Sequence, residues 1–166
     1  MPRSRICSTA RWRSGVRIFA DTNVLFDIFA QREPFKESSY KLMIMQMFDD
    51  VEIWTAQQSY LNVFYVLKKV QPASDVQKAL FASLEHVNVC TTGHTDVQAA
   101  LQMGWDDVED ALIALSCKNL AADYLLTRDE KQEGFKHMDI PSLTPEEFFE
   151  MWEKERGVLY DEIGLP

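Results

Sequence analysis

"DVEDALIALSCKNLAADYLLTRD", residues 107–129, runs from the aspartates Asp107 and Asp110 through a long apolar-faced segment into a short apolar run, and ends on another aspartate. Its two halves have different periods. Ala111, Leu112, Ala114 and Leu115 recur at helical spacing and predict a helix over 108–120. "YLLT" (124–127) is a short continuous apolar run that reads as a buried strand. A helix that delivers the chain straight into a buried strand is the connection a parallel sheet needs.

The same alternation extends outward in both directions. Strand-like runs occur at "VRIFA" (16–20), "VEIWT" (51–55), "VNVC" (87–90) and "DIPSL" (139–143). Helical spacing covers 36–48, with Tyr40, Met43, Ile44, Met47 and Phe48, and 57–69, with Leu61, Phe64, Tyr65 and Leu67. Further helices are predicted near 74–85, 95–103 and 145–155. The last opens on "TPEE", with Thr144 as cap, Pro145 at the first helical position and Glu147 reaching back. Strands that alternate with helices imply a parallel sheet covered on both faces.

With 46% apolar residues, 166 residues can bury one sizeable core, so a single domain is expected over 16–157. A basic tail, expected to be disordered, precedes it over 1–15, and a short C-terminal tail covers 158–166. Arg3, Arg5, Arg11, Arg13 and Arg17 stand among residues 1–17 with no acid, which leaves 12 basic residues against 26 acids and a charge of −14 over 18–166. Such a body argues against a broad basic groove for duplex nucleic acid, whose affinity comes from Lys and Arg neutralising phosphates. It leaves open a nucleic-acid substrate reached through a cation, which relieves repulsion among clustered carboxylates.

Cys7, Cys90 and Cys117 are odd in number and form no CxxC pair, so neither a disulfide framework nor a thiolate zinc site is expected, and a reducing cytoplasm fits. His86, Cys90 and His94 recur every four residues, but "HVNVCTTGH" reads as a strand entering a Thr-Gly loop, where that spacing gathers no ligands. No apolar run reaches the roughly 18–20 residues needed to cross a bilayer, so no membrane contact is expected. "MPRSRICSTARWRSGV" (1–16) admits three readings: a plain tail, a basic arm that touches phosphate, and a targeting peptide.

Residues at the carboxyl ends of the strands line the crevice where open parallel sheets bind ligands. Asp21 follows the first strand in "RIFADTNVLF" (17–26), and Thr127, Arg128 and Asp129 follow the fourth, so their acids converge if those strands are neighbours. Asp107 and Asp110 lie on one side of the first turn of the 108–120 helix. Acids there also cap free N–H groups, so Asp107 reads equally as cap and as metal ligand, while Asp110, beside the buried face, is expected in the crevice. Carboxylates without zinc-type ligands suit a hard cation, Mg²⁺ or Mn²⁺, which activates water and stabilises charge in phosphodiester hydrolysis.

In this order, "RIFADTNVLFDIF…REPF", "DVEDALIALSCKNLAADYLLTRD" and "IPSLTPEEF" resemble the PIN domain family, the fold of the toxin ribonucleases in VapBC-type toxin–antitoxin pairs, over about residues 16–150. The resemblance implies an α/β fold, a three-layer α/β/α arrangement with a five-stranded parallel sheet. It also implies an endoribonuclease dependent on Mg²⁺ or Mn²⁺ that acts on single-stranded or structured RNA, an antitoxin protein as partner, and a homodimer. Matched by position, the catalytic and metal-binding acids are Asp21, Asp110 and Asp129, and Thr22, Asn23 and Thr127 are the polar residues that meet substrate. One position departs from the pattern: "SYLNVFYVLKK" (59–69) carries Asn62 where the family has Glu. An amide oxygen can ligate but brings no charge, so Asp107 is the acid expected to compensate as a further metal ligand, with Asn62 left among the substrate contacts. The same departure supports a non-enzyme reading, a degenerate PIN domain that binds protein or RNA without cutting.

Of the neighbouring bases, Arg128 reads as a contact to substrate phosphate or as the ion-pair partner of the three carboxylates, and Arg32, in the "QREPF" turn, is the loop cation suited to RNA. Trp54, Trp105 and Trp152 are expected in core or interface rather than as base-stacking platforms.

Overall fold

The computed structural model describes residues 15–129, 133–136, 138–157 and 160. Nearly all of the expected tail over 1–15, and all of 158–166 except Tyr160, lie outside the described residues. The elements are β1 (Val16–Ala20), α1 (Thr22–Ala30), α2 (Lys36–Met47), β2 (Val51–Ala56), α3 (Gln57–Leu67), α4 (Ala73–Ser83), β3 (Val87–Cys90), α5 (His94–Met103), α6 (Val108–Leu120), β4 (Tyr124–Leu126), α7 (Glu133–Lys136), β5 (Ser142–Leu143) and α8 (Pro145–Arg156). The five strands form one sheet in the order β3-β2-β1-β4-β5, and every pairing is parallel. The expected α/β class and five-stranded parallel sheet are what the chain forms.

Strand β1 is the centre because both of its faces are apolar. Ile18 and Ala20 join Ile53 and Leu126 on one face, against Val24, Leu25, Leu42, Met45, Val63 and Phe148 of α1, α2, α3 and α8. Phe19 and Leu125 point the opposite way, into Ile113, Ala114 and Cys117 of α6 and Phe135 of α7. Alternate residues thus feed two helix layers, as the period-2 geometry of a strand requires. The register sets Phe19 beside Trp54 on one side and Leu125 on the other.

Helices α1 and α7 and strand β5 differ from the sequence expectations. Helix α1 was not foreseen, because in a nine-residue element "TNVLFDIFA" is nearly continuous in apolar residues and its period is hidden. Asp21 starts it by accepting from the Thr22 N–H. Strand β5 shrinks from 139–143 to Ser142–Leu143, since Pro141 has no N–H to donate and contributes only its carbonyl, which accepts from the Leu125 N–H at 2.9 Å. The cap expected for α8 is present as a reciprocal pair: Glu147 N–H donates to Thr144 Oγ1 at 3.2 Å, and Thr144 N–H to Glu147 Oε2 at 2.7 Å. Helix α5 ends at Gly104 with φ +68°, a left-handed turn that suits glycine and leads the chain into α6.

Leu125 is wholly buried between β1 and the second helix layer, so Leu125→Ala is expected to cost about 2–5 kcal/mol in urea denaturation. Phe81, 78% exposed on α4, should cost no more than about 0.5 kcal/mol when cut to Ala. Equal losses at the two positions would contradict this packing.

Candidate active site

Pairing of β1 with β4 brings their carboxyl ends together, with the Asp21 N–H donating to the Leu126 carbonyl at 3.0 Å. Thr127 Oγ1 donates to Asp21 Oδ2 at 2.6 Å, and Asn23 Nδ2 donates to the same oxygen at 2.8 Å. The Thr22 N–H donates to Asp21 Oδ1 at 2.5 Å, which makes one carboxylate both the cap of α1 and the anchor of β4. Asp21 is only 5% exposed. Burial pushes its carboxyl above the usual range; hydrogen bonds from Thr127, Thr22 and Asn23 oppose that rise, and the charge of Glu109 adds to it.

Asp110 and Asp129 complete the acids matched by position. Both line a cleft of about 460 Å³ together with Asp21, Thr22, Asn23 and Asn62. Burial, and then the charges of Asp107, Asp21, Asp129 and Glu109, push the Asp110 carboxyl up to about 7. Asp129 is exposed, and its N–H donates to Thr127 Oγ1 at 3.1 Å. Thr127 thereby joins the acid after β1 to the acid after β4.

Asp107 also stands at the cleft, but its place there is that of an exposed helix cap: Oδ1 accepts the N–H groups of Glu109 at 2.8 Å and Asp110 at 3.3 Å. That arrangement takes the place of the compensating role expected of it. The acid that meets Asn62 is Glu109, which the sequence reading passed over. Glu109 Oε1 accepts from Asn62 Nδ2 at 2.8 Å and from Thr22 Oγ1 at 3.1 Å. Thr22 Oγ1, 2.8 Å from the buried Ser59 hydroxyl, accepts that proton while giving its own to Glu109. An acid in a helix first turn looks like a response to the dipole, and only the approach of α3 to α6 shows otherwise.

Arg128 differs from both readings given to it. Its guanidinium pairs with Asp27 and Glu146 and donates to Ser38, and it lies 3.6 Å over the Phe35 ring. The side chain is 13% exposed and does not line the cleft. Wholly buried Asp27 also holds Arg32, whose Nη2 donates to Oδ1 at 2.7 Å, and Arg32 does reach the cleft. Only the Arg128 backbone serves the site, its N–H donating to Asn23 Oδ1 at 3.0 Å and so orienting the Asn23 amide toward Asp21.

A family model described as PIN domain matches residues 17–131. The chain belongs to the PIN domain family. It is 29% identical over 144 residues to the Ribonuclease VapC1 of Aquifex aeolicus (strain VF5), a match covering 82% of this chain and 95% of that one. Among solved structures, it resembles a toxin-antitoxin complex from Klebsiella pneumoniae with a TM-score of 0.57 and 19% identity, covering 77% of this chain and 97% of that one. VapBC2 from Rickettsia felis, bound to a DNA fragment from their promoter, gives a TM-score of 0.56 and 18% identity over the same shares of the two chains. At those identities the structures show a shared fold.

A PIN domain implies a divalent cation, and the donor set here fits one. Five carboxylates, Asp21, Asp107, Glu109, Asp110 and Asp129, line the cleft with the amides of Asn23 and Asn62, an oxygen-rich lining of the kind that hard cations take. Among the described residues, no three His, Cys, Asp or Glu side chains are already gathered as an ion would hold them.

Without a cation, the folded chain keeps a proton on Asp110 up to about pH 7, whereas the unfolded carboxyl releases it near its ordinary 3.8. Stability of the protein in EDTA therefore falls as pH rises through that window. Asp110→Asn, which cannot ionise, should melt close to wild type near pH 4 and a few degrees above it near pH 8, because screening at this partly open site leaves on the order of 1 kcal/mol. Melting curves at the two pH values check this; a gap that does not widen with pH contradicts it. A separate prediction concerns Asp27: Asp27→Ala, which removes the buried anion between two arginines, should cost about 3–5 kcal/mol in urea denaturation.

Proposed function

We propose that this PIN domain is a metal-dependent endoribonuclease that hydrolyses phosphodiester bonds in single-stranded or structured RNA, and that it is the toxin of a toxin–antitoxin pair. The observation that carries the reading is the convergence of Asp21, Asp110 and Asp129 on one cleft at the strand ends. A curated ribonuclease relative, matched over 95% of its own length, supports it.

In this reading Asp21, Asp110 and Asp129 hold Mg²⁺ or Mn²⁺, which when bound supplies an activated water and stabilises charge on the phosphate. The remaining work falls to the chain itself. Thr127 and Asn23 fix the orientation of Asp21 before any cation arrives. Thr22, Asn23, Asn62 and Thr127 offer hydroxyl and amide groups to the RNA. Arg32, anchored on Asp27 and the base that lines the cleft among the described residues, faces the substrate phosphate. Arg128 acts by holding that anchor rather than by touching RNA.

The antitoxin partner is proposed from the structural relatives, which are described as complexes. An Arg or Lys of such a partner, set among Asp21, Asp110 and Asp129, would inhibit by replacing the cation's charge. Exposed Leu61 and Tyr65 on α3 and Phe81 and Leu84 on the α4 side provide apolar surface for a homodimer. No helix among the described residues is long and apolar enough to cross a membrane, and the proposed site of action is the cytoplasm.

Cleavage of end-labelled single-stranded RNA by the purified protein tests the activity. Cutting is expected with Mn²⁺, none with EDTA, and a loss on the order of 100-fold or more for Asp110→Asn or Asp21→Asn. Persistence of cutting in EDTA would refute metal dependence, and no cutting under any condition would favour the degenerate binding module.

A further inference from the structure

We infer that Glu109 supplies the carboxylate that α3 lacks, so that the negative charge absent at Asn62 has moved to α6 and takes part with Asp21, Asp110 and Asp129 in holding the divalent cation. This rests on the metal-dependent reading of the cleft.

Three observations lead to it. First, Glu109 lines the same cleft as the three aspartates, one residue before Asp110 on the first turn of α6. Second, its carboxylate meets the side chain of Asn62 itself, at 2.8 Å, so the charge lies within hydrogen-bond reach of the departed family position. Third, it is held there by donors from two other helices: Asn62 Nδ2 from α3 and Thr22 Oγ1 from α1 converge on one oxygen, Oε1. An acid that served only the α6 dipole would need neither, and the cap of α6 is already provided by Asp107.

The pair also accounts for the asparagine. Two carboxylates at that separation would repel each other, so one of the two positions must carry a neutral donor once the other carries the charge. Asn62 is that donor. Its amide can only donate to Glu109, since a carboxylate at neutral pH is an acceptor.

The test is a charge exchange between the two helices, read as Mn²⁺ affinity by isothermal titration calorimetry on the full chain, with melting temperature in EDTA as the check on folding. Glu109→Gln keeps the shape and an acceptor oxygen, and is expected to weaken Mn²⁺ binding roughly tenfold or more while melting in EDTA at or above the wild-type temperature. Asn62→Glu combined with Glu109→Gln returns the charge to α3 and should recover Mn²⁺ affinity to within about threefold of wild type. Asn62→Glu alone sets two carboxylates together and should lower the melting temperature in EDTA, with Mn²⁺ restoring it. A folded Glu109→Gln that binds Mn²⁺ as wild type does overturns the inference, as does an exchanged pair that folds without recovering affinity. If wild type binds Mn²⁺ and Asp110→Asn does not, the metal reading stands whichever way Glu109 falls; a wild type that binds none overturns both.

Discussion

The hydrogen bond from Thr127 to Asp21 joins the fold to the chemistry. A carboxylate that is 5% exposed must find donors, because a buried anion without them is costly. Asp21 finds them in three places: the first N–H of α1, the amide of Asn23 within that helix, and the hydroxyl that follows β4. Each donor fixes an element. Helix α1 must begin at Asp21, β4 must lie beside β1, and the loop after β4 must turn so that the Arg128 N–H orients Asn23. That last bond leads on to Asp27, one and a half turns along α1, where the Arg128 side chain binds α1 to Glu146 of α8.

The two buried aspartates of this region are treated in opposite ways. Asp27 has two arginines against it. Asp21 is met by neutral donors and by acids: Glu109 raises its carboxyl, and Asp21 in turn raises that of Asp110. Stability alone would distribute the cations more evenly, since like charges gathered in a partly buried cleft destabilise the fold. Gathering carboxylates in the cleft while pairing Asp27 twice is the distribution expected when a ligand is to bring positive charge there. Two arginines close to the acids in sequence are kept off them by their ties to Asp27, one buried and one at the rim.

Much of this was legible in the sequence, and the limits have physical causes. Strand β1 announced itself as a short continuous apolar run, helix α6 through its helical spacing, and the cap of α8 through its Thr-Pro-Glu-Glu order. Helix α1 stayed hidden because a short helix with apolar residues at six of its nine positions and no exposed residue lacks the polar face that reveals a 3.6-residue repeat. Asp21, Asp110 and Asp129 could be brought to one crevice on paper because strand ends in a parallel sheet point one way. Arg128 and Glu109 could not be placed so. Their roles depend on what lies across from them, Asp27 and Phe35 in one case and Asn62 in the other, and tertiary contacts between α1, α3 and α6 leave no periodic trace in any one segment.

The acidity of the body bears on how RNA would be recognised. Basic RNA-binding proteins gather phosphates over a wide surface and lose affinity steeply with salt. A chain with a charge of −14 over residues 18–166 instead repels a polyanion over most of its surface. Attraction then has to be local: a cation among the carboxylates and one arginine at the rim of the same cleft, fixed by a buried counter-ion. In the proposed reading the strand-end acids would draw in the cation and the cation the phosphate, so that recognition and chemistry would fall on the same cleft. The charge of the body disfavours binding over the rest of residues 18–166.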